Sequence, residues 1–315
     1  MLLLALACTG SPGANSADTA SVAEPRAYGA AFDADLLEAH VRALASEELT
    51  GRKAGSEGDA LAVAYVQEAL EAAGFEAPEG GWQQPFVDSK GTDSLNVLGV
   101  RRGADARVGD EIVIVGAHHD HLGQRRDGSY FPGANDNASG MAVLLGLAEA
   151  FGAGQALDRT LVLGSWGSEE VNLDGSRVYV ENPPSDLPID DTVFYVNLDM
   201  VGAYEARGTL YALDAARGTV AREVVSAAAA NSPLHVDMRY LGELSDSVNF
   251  CEAGVPEVFF WTDDPDCYHQ TCDTADRLDY DDLSEVGWLV GDVLGRLLGA
   301  DLDLAGPRAE GCPVD

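Results

Sequence analysis

The stretches Gly116-Ala-His-His-Asp-His-Leu-Gly123 and Gly133-Ala-Asn-Asp-Asn-Ala-Ser-Gly140 decide how this chain is read. They put His118, Asp120, His121 and Asp136 into two loops, each flanked by a strong regular element. Ahead of them, Glu111-Ile-Val-Ile-Val115 is an apolar, β-branched run, the pattern of a strand buried on both faces of a parallel sheet. Behind them, residues 141–150 predict a helix that covers that sheet. Imidazoles and carboxylates at the carboxyl end of a parallel strand stand where open α/β sheets place their ligands. A metal site is the first expectation.

Outward from this stretch, apolar residues at helical spacing predict helices over 33–49 and 56–74, the second ended by Gly74. Strands are expected at 82–87 and 94–101. A buried strand at 160–166 runs into Ser168-Glu169-Glu170, and a helix follows through 175–180. The next strand, 192–198, ends at Asp199. A short strand at 208–213, an Ala-rich helix at 219–230 and a helix at 248–253 come next. The last strand, 256–261, is followed by a loop with His269, and a helix over 283–298 closes the fold. Strands alternating with helices mean an α/β protein, a doubly wound and mostly parallel sheet with helices on both faces. Residues 31–305 are expected to form one domain, after a linker at 9–30 and before a tail at 306–315.

Composition sets the limits. With 315 residues, 46% of them hydrophobic, the chain can bury a large core. A net charge of −34 excludes generic affinity for nucleic acid or anionic lipid, which need basic patches. Met1-Leu-Leu-Leu-Ala-Leu-Ala-Cys8 and the Ser/Ala/Gly-rich segment after it resemble a bacterial lipoprotein signal with its tether, Cys8 being the lipidated residue. No Lys or Arg precedes the run, so plain secretion and a chance apolar start stand as alternatives. No other segment approaches the roughly 20 apolar residues of a membrane span. The expected place is the cell envelope or the exterior. The cysteines at 251, 267, 272 and 312 are even in number, which suits an oxidising compartment. Cys267 and Cys272 bracket a short loop and are expected to pair, which leaves Cys251 with Cys312.

The candidate ligands share a position. His118 and Asp120 follow one strand, Glu169 and Glu170 another, Asp199 a third and His269 a fourth, while Asp136 opens a helix. Two imidazoles and three carboxylates, His118, Asp136, Glu170, Asp199 and His269, match two zinc ions sharing one bridging carboxylate. Glu169 is then free to take a proton from the metal-bound water and give it to a leaving amine. Asp120 is expected to accept the other ring N–H of His118.

These residues carry a family resemblance. G-x-H-x-D at 116–120, G-A-N-D-N-A-S-G at 133–140, S-E-E at 168–170, N-L-D-M at 197–200 and Y-H-Q-T-C-D-T at 268–274 resemble the secreted bacterial dizinc aminopeptidases of peptidase family M28. L-T-G-R at 49–52 resembles that family's entry segment, and the match spans roughly residues 35–300. By position, the resemblance implies His118 and Asp199 on one zinc, Glu170 and His269 on the other, and Asp136 on both. It implies Glu169 as general base, Asp120 orienting His118, Met200 as a wall of the substrate pocket, and a cis Asp136–Asn137 bond. The implied substrates are peptides with a free N-terminus. In Ser245-Asp246-Ser247 a serine replaces the histidine of the family's Ser-Asp-His, and this bears on specificity rather than metal loading.

Three other readings share these residues. Related carboxypeptidases and deacylases insert a lid domain between the last two ligands, whereas here only 70 positions separate Asp199 from His269. A glutaminyl-cyclase-like enzyme would hold a single zinc. A non-catalytic ectodomain would not need the intact ligand set. Among the remaining candidates, His119 is expected to pack and His121 to line the substrate side or serve its loop. His235 should lie at the surface, Asp273 and Asp276 should cap the closing helix, and Trp261 should approach the pocket.

Overall fold

Eight strands form one sheet in the computed structural model, which describes residues 28–154, 156–215, 219–239 and 245–304. In chain order they are β1 (Gln83–Val87), β2 (Asp93–Arg101), β3 (Ile112–His118), β4 (Thr160–Trp166), β5 (Thr192–Leu198), β6 (Leu210–Leu213), β7 (Val236–Arg239) and β8 (Glu257–Trp261). In space the order is β1-β2-β4-β3-β5-β8-β6-β7. The four central strands, β4, β3, β5 and β8, run parallel. The flanks turn antiparallel: β1 to β2, β2 to β4, and β6 to β8. The sheet is therefore mixed, parallel at its centre rather than throughout. The link from Val87 to Asp93 is too short for a crossover, so β1 and β2 can pair only antiparallel.

Helices cover both faces, and the strand sequences say why. Along β3, Val113 and Val115 pack into one apolar cluster, and Ile112 and Ile114 into the other. This is the period-two alternation of a strand. The first cluster collects buried residues of α1 (Ala34–Leu44), α2 (Glu57–Ala72), α3 (Gly140–Phe151), α6 (Val220–Ala229) and α8 (Tyr280–Leu297). The second lies under α4 (Asp174–Glu181) and α7 (Ser247–Glu252), where Tyr195 and Phe250 stack with centroids 3.7 Å apart beside Trp166 and Tyr179. α5 (Tyr204–Arg207) is a single turn between β5 and β6. Ser56, Thr219 and Asp279 cap α2, α6 and α8 by accepting a first-turn N–H.

Some boundaries differ from the sequence expectations. Tyr28, placed in the linker by composition, is buried and donates its hydroxyl to the Gly291 carbonyl. The folded part thus begins before residue 31. α1 stops at Leu44, followed by a separate turn over Glu47–Leu49. β7 had no apolar pattern to announce it. The Cys267–Cys272 disulfide forms as expected, and Cys251 is also disulfide-bonded. Cys8, Cys312, the signal-like run, most of the linker and the 306–315 tail lie outside the described residues. No described helix is long and apolar enough to cross a membrane.

For the site, the important consequence is directional. β3, β4, β5 and β8 are parallel, so their carboxyl ends open on one edge of the sheet. The chain steps from β3 out to β4 and then crosses to β5 on the other side of β3. That reversal opens a crevice between β3 and β5, where such sheets hold ligands.

Candidate metal centre

Imidazoles and carboxylates meet at that crevice in two groups that share one residue. His118, the last residue of β3, has Nε2 3.2 Å from Asp199 Oδ1 and 3.4 Å from Asp136 Oδ1. His269 has Nε2 3.2 Å from Asp136 Oδ2 and 3.3 Å from Glu170 Oε2. Asp136 presents one oxygen to each group. A tetrahedral zinc with bonds of about 2.0–2.1 Å puts neighbouring donors about 3.3–3.4 Å apart. The four spacings fit that edge length, so the chemistry and spacing of these side chains suit zinc.

Opposite charge ties these imidazoles to the carboxylates around them. Hydrogen bonds to Asp136 and Glu170 raise His269 to about 10. Burial alone would lower His118, but the charges of Glu169 and Asp199 and hydrogen bonds to Asp136 and Asp199 lift it well above its usual value. Burial also works against charge on Asp136, yet hydrogen bonds to His118 and His269 hold it far below the usual carboxylate range.

Glu169 stands apart from this pairing. Its nearest imidazole nitrogen, His118 Nε2, is 3.9 Å away. Burial, with Asp199, Asp246 and Glu170 adding to it, pushes its carboxyl well up. Its main-chain N–H donates to Asp120 Oδ1 at 2.9 Å. Asp120 meets His118 differently from expectation. The nearest oxygen to His118 Nδ1 is the Asp120 main-chain carbonyl at 3.2 Å, with the carboxylate at 3.8 Å.

A further layer of hydrogen bonds fixes the donors. Asp199 Oδ2 accepts from the Ser245 hydroxyl at 2.8 Å, and Asn197 Nδ2 donates to that hydroxyl at 3.0 Å. Tyr195 donates to Asn197 Oδ1, and Trp166 Nε1 to the Tyr195 hydroxyl. A side chain on Gly116 would strike both Trp166 Nε1 and the Tyr195 hydroxyl, which is why this strand position is glycine. The loop bearing Asp136 is held by Asp273, whose carboxylate accepts the N–H groups of Asn135 and Asp136 at 2.8 and 3.0 Å. Asn135, Asn137 and Ser139 then accept the N–H groups of Gly202, Met200 and Val201 just past β5. The Asp136–Asn137 bond is cis. Buried Arg52 donates to the carbonyls of Leu44, His119, Pro132 and Gly133, tying α1 to both loops.

The other histidines divide cleanly. His119 turns into the core, with Nδ1 2.8 Å from Ser165 Oγ and Nε2 3.3 Å from Asp59 Oδ1. His235 is exposed. His121 is neither pocket lining nor a loop prop alone, because its Nδ1 lies 2.8 Å from Glu170 Oε1. Asp273 grips the Asp136 loop rather than capping a helix, and Asp276 pairs with Arg42 at the surface. Sequence reasoning missed the positions of His121, Asp273 and Ser245. The signal available for Ser245 was its place in the Ser-Asp-Ser triplet.

A cavity of about 320 Å³ opens beside the donors, with Met200, Phe259, Trp261 and Tyr268 among its walls. Phe259 and Trp261 face it because alternate residues of β8 share a face, while Phe260 between them enters the core. Tyr268 stacks on His269 at 3.9 Å. Asp263, at the cavity rim, is paired with Arg207 at 2.9 Å.

An open sheet with these donors gathered at its parallel strand ends defines the class, an α/β fold carrying a candidate zinc centre. A family model described as "Peptidase family M28" matches residues 96–294, well over half of the chain, and the chain belongs to that family. It is 31% identical over 208 residues to "Aminopeptidase YwaD" of Bacillus subtilis, covering 62% of this chain and 43% of that protein. It is 29% identical over 238 residues to "Probable lipoprotein aminopeptidase LpqL" of Mycobacterium tuberculosis, covering 64% and 45%. The chain thus spans less than half the length of these curated relatives. Among solved structures, "The structure of BSAP, a zinc aminopeptidase from Bacillus subtilis" superposes with a TM-score of 0.71 at 18% identity, covering 91% of this chain and 99% of that one.

Proposed function

We propose that this chain is a dizinc aminopeptidase that removes N-terminal residues from peptides. The observation that carries the reading is the shared Asp136, with one oxygen at donor spacing from each of two groups. In this reading His118 and Asp199 hold one zinc, Glu170 and His269 the other, and Asp136 both. Two such ions polarise a scissile carbonyl and acidify water. Glu169, buried and free of a close imidazole partner, takes a proton from the attacking water and passes it to the departing amine. Asp120 positions Glu169 by its hydrogen bond and borders His118 Nδ1. The apolar walls of the cavity suit an uncharged side chain, and the surrounding acids favour a free terminal ammonium. The described residues between Asp199 and His269 belong to this sheet and its helices, which speaks against the lid-bearing carboxypeptidases and deacylases. We place the protein in a bacterial envelope or outside the cell, with Cys8 as a lipid anchor. The Cys267–Cys272 bridge and the name of the mycobacterial relative support this.

The test pairs Glu169→Gln with aminoacyl-anilides, amine-free and amine-blocked. Turnover should fall about 10²–10⁴-fold in the variant while zinc stays near two per chain, and only amine-free substrates should be cleaved. Near-normal turnover in the variant refutes the assigned base. Cleavage of blocked substrates alone refutes the aminopeptidase reading.

A further inference from the structure

His121 belongs to the centre in a way the five-donor set does not account for. Its side chain is buried, at 1% exposure. The ring sits edge-on to Phe131 and 5.9 Å from the ring of His269. It packs over Gly133, where an added Cβ would come 2.6 Å from its Cδ2. Its main-chain N–H donates to the Arg52 carbonyl at 3.1 Å. The backbone and the ring are thus both held.

Distances separate a ligand from a hydrogen-bond donor here. His121 Nδ1 is 2.8 Å from Glu170 Oε1 and 3.7 Å from Asp136 Oδ2. The first is shorter than the roughly 3.3 Å edge between donors on one tetrahedral ion, and the second is longer. The 2.8 Å contact to Glu170 is the length of a hydrogen bond from a ring N–H to a carboxylate. Glu170 turns its other oxygen, Oε2, to His269. A carboxylate only accepts, so the proton sits on His121 Nδ1. His121 Nε2 is buried and without a hydrogen-bond partner among the described residues.

We propose that His121 is a positioning residue for the second metal: its Nδ1–H fixes Glu170 so that only Oε2 is offered to the ion. This rests on the dizinc reading. It also gives the first loop a paired action on the second. Asp120 accepts the N–H of Glu169, and His121 donates to the side chain of Glu170. Two consecutive residues thereby set the base and the ligand that follow β4.

Stepwise zinc affinities, measured by titrating metal-free protein against a competing chelator, test this for wild type, His121→Phe and His121→Asn. The phenyl ring keeps the packing and removes the donor. The Asn amide restores a donor where Nδ1 stood. In His121→Phe one binding step should weaken about 10–100-fold, as loss of such outer partners typically does, with the other step unchanged. His121→Asn should return to within a few-fold of wild type. Unchanged affinities in His121→Phe, an equal loss at both steps, or no recovery in a folded His121→Asn would each overturn the assignment. Circular dichroism checks folding, and His121→Ala replaces the Phe variant under the same criteria if that variant does not fold. A single ion in wild type overturns the dizinc reading instead, and the comparison is then made on that one step. Unchanged affinity there overturns the role of His121 too.

Discussion

Glu169 and Glu170 are chain neighbours with opposite electrostatic fates. Burial opposes charge on both, but hydrogen bonds from His121 and His269 hold Glu170 below its usual range, whereas Glu169 has no such bonds and is pushed well up. In the proposed reading one serves as ligand and the other as base because of what surrounds them, and no sequence pattern could have separated them except by resemblance. Asp273 makes the same point from farther away. Its partners Asn135 and Asp136 are 138 and 137 positions off, so nothing local announces the contact. Asp273→Asn puts an NH₂ against one of those N–H groups. Unfolding in urea should show a loss of about 1–3 kcal/mol, the cost of a buried group left unpaired, together with reduced zinc retention on dialysis. Wild-type stability with full zinc would mean the Asp136 loop holds itself. His118, Asp199 and His269 were legible because each ends or follows an apolar run. The residues that grip them were not, because a hydrogen bond across the fold leaves no periodicity.

At the scale of elements, the long buried runs and the half-exposed β1 were legible, whereas β7 was not. β3, β4 and β5 lie close to their expected bounds, since continuous β-branched sequence has few other uses. β7 is four residues with no fully buried member, and Ala134–Ser139 is kinked through Asp136 and Asn137, whose dihedrals are not helical. Neither has an apolar period to read, and the second was foreshadowed only by the resemblance of the 133–140 motif. The α1–α2 contact carries a pH signature. His40 Nδ1 accepts from the Tyr65 hydroxyl at 2.7 Å, and burial lowers its pKa to about 4. A depressed folded pKa means that the unfolded chain takes the proton first. The neutral ring's contribution is therefore present above about pH 6.5 and is lost as pH falls through about 4. The stability gap between wild type and His40→Phe should be flat above pH 6.5 and move against wild type between pH 6.5 and 4. A gap constant across that window would remove His40 from the acid response.

For the whole molecule, charge and metal oppose each other. The chain has 53 acidic and 19 basic residues, and the centre adds a knot of carboxylates at one sheet edge. Zinc binds the folded state and should stabilise it by about 4 kcal/mol at a free concentration a thousandfold above Kd. Chelation should lower the thermal midpoint by several degrees, and added zinc should restore it. Salt should recover more stability in the stripped protein than in the loaded one, because screening then replaces a neutralising ion. A midpoint indifferent to chelator would show that the fold does not depend on metal. The fold class was legible at this scale from the alternation of elements. The antiparallel pairings of β2 with β4 and of β6 with β8 were not, since they join strands that are not consecutive in the chain.

The donors at the sheet edge enter the chain at positions 118, 136, 170, 199 and 269. During synthesis the second group therefore stays incomplete until the segment after β8 has emerged and folded back over Asp136. No amount of zinc can rescue a chain halted before that point. Full occupancy of the proposed centre would then require that every central strand, β8 included, has found its neighbours.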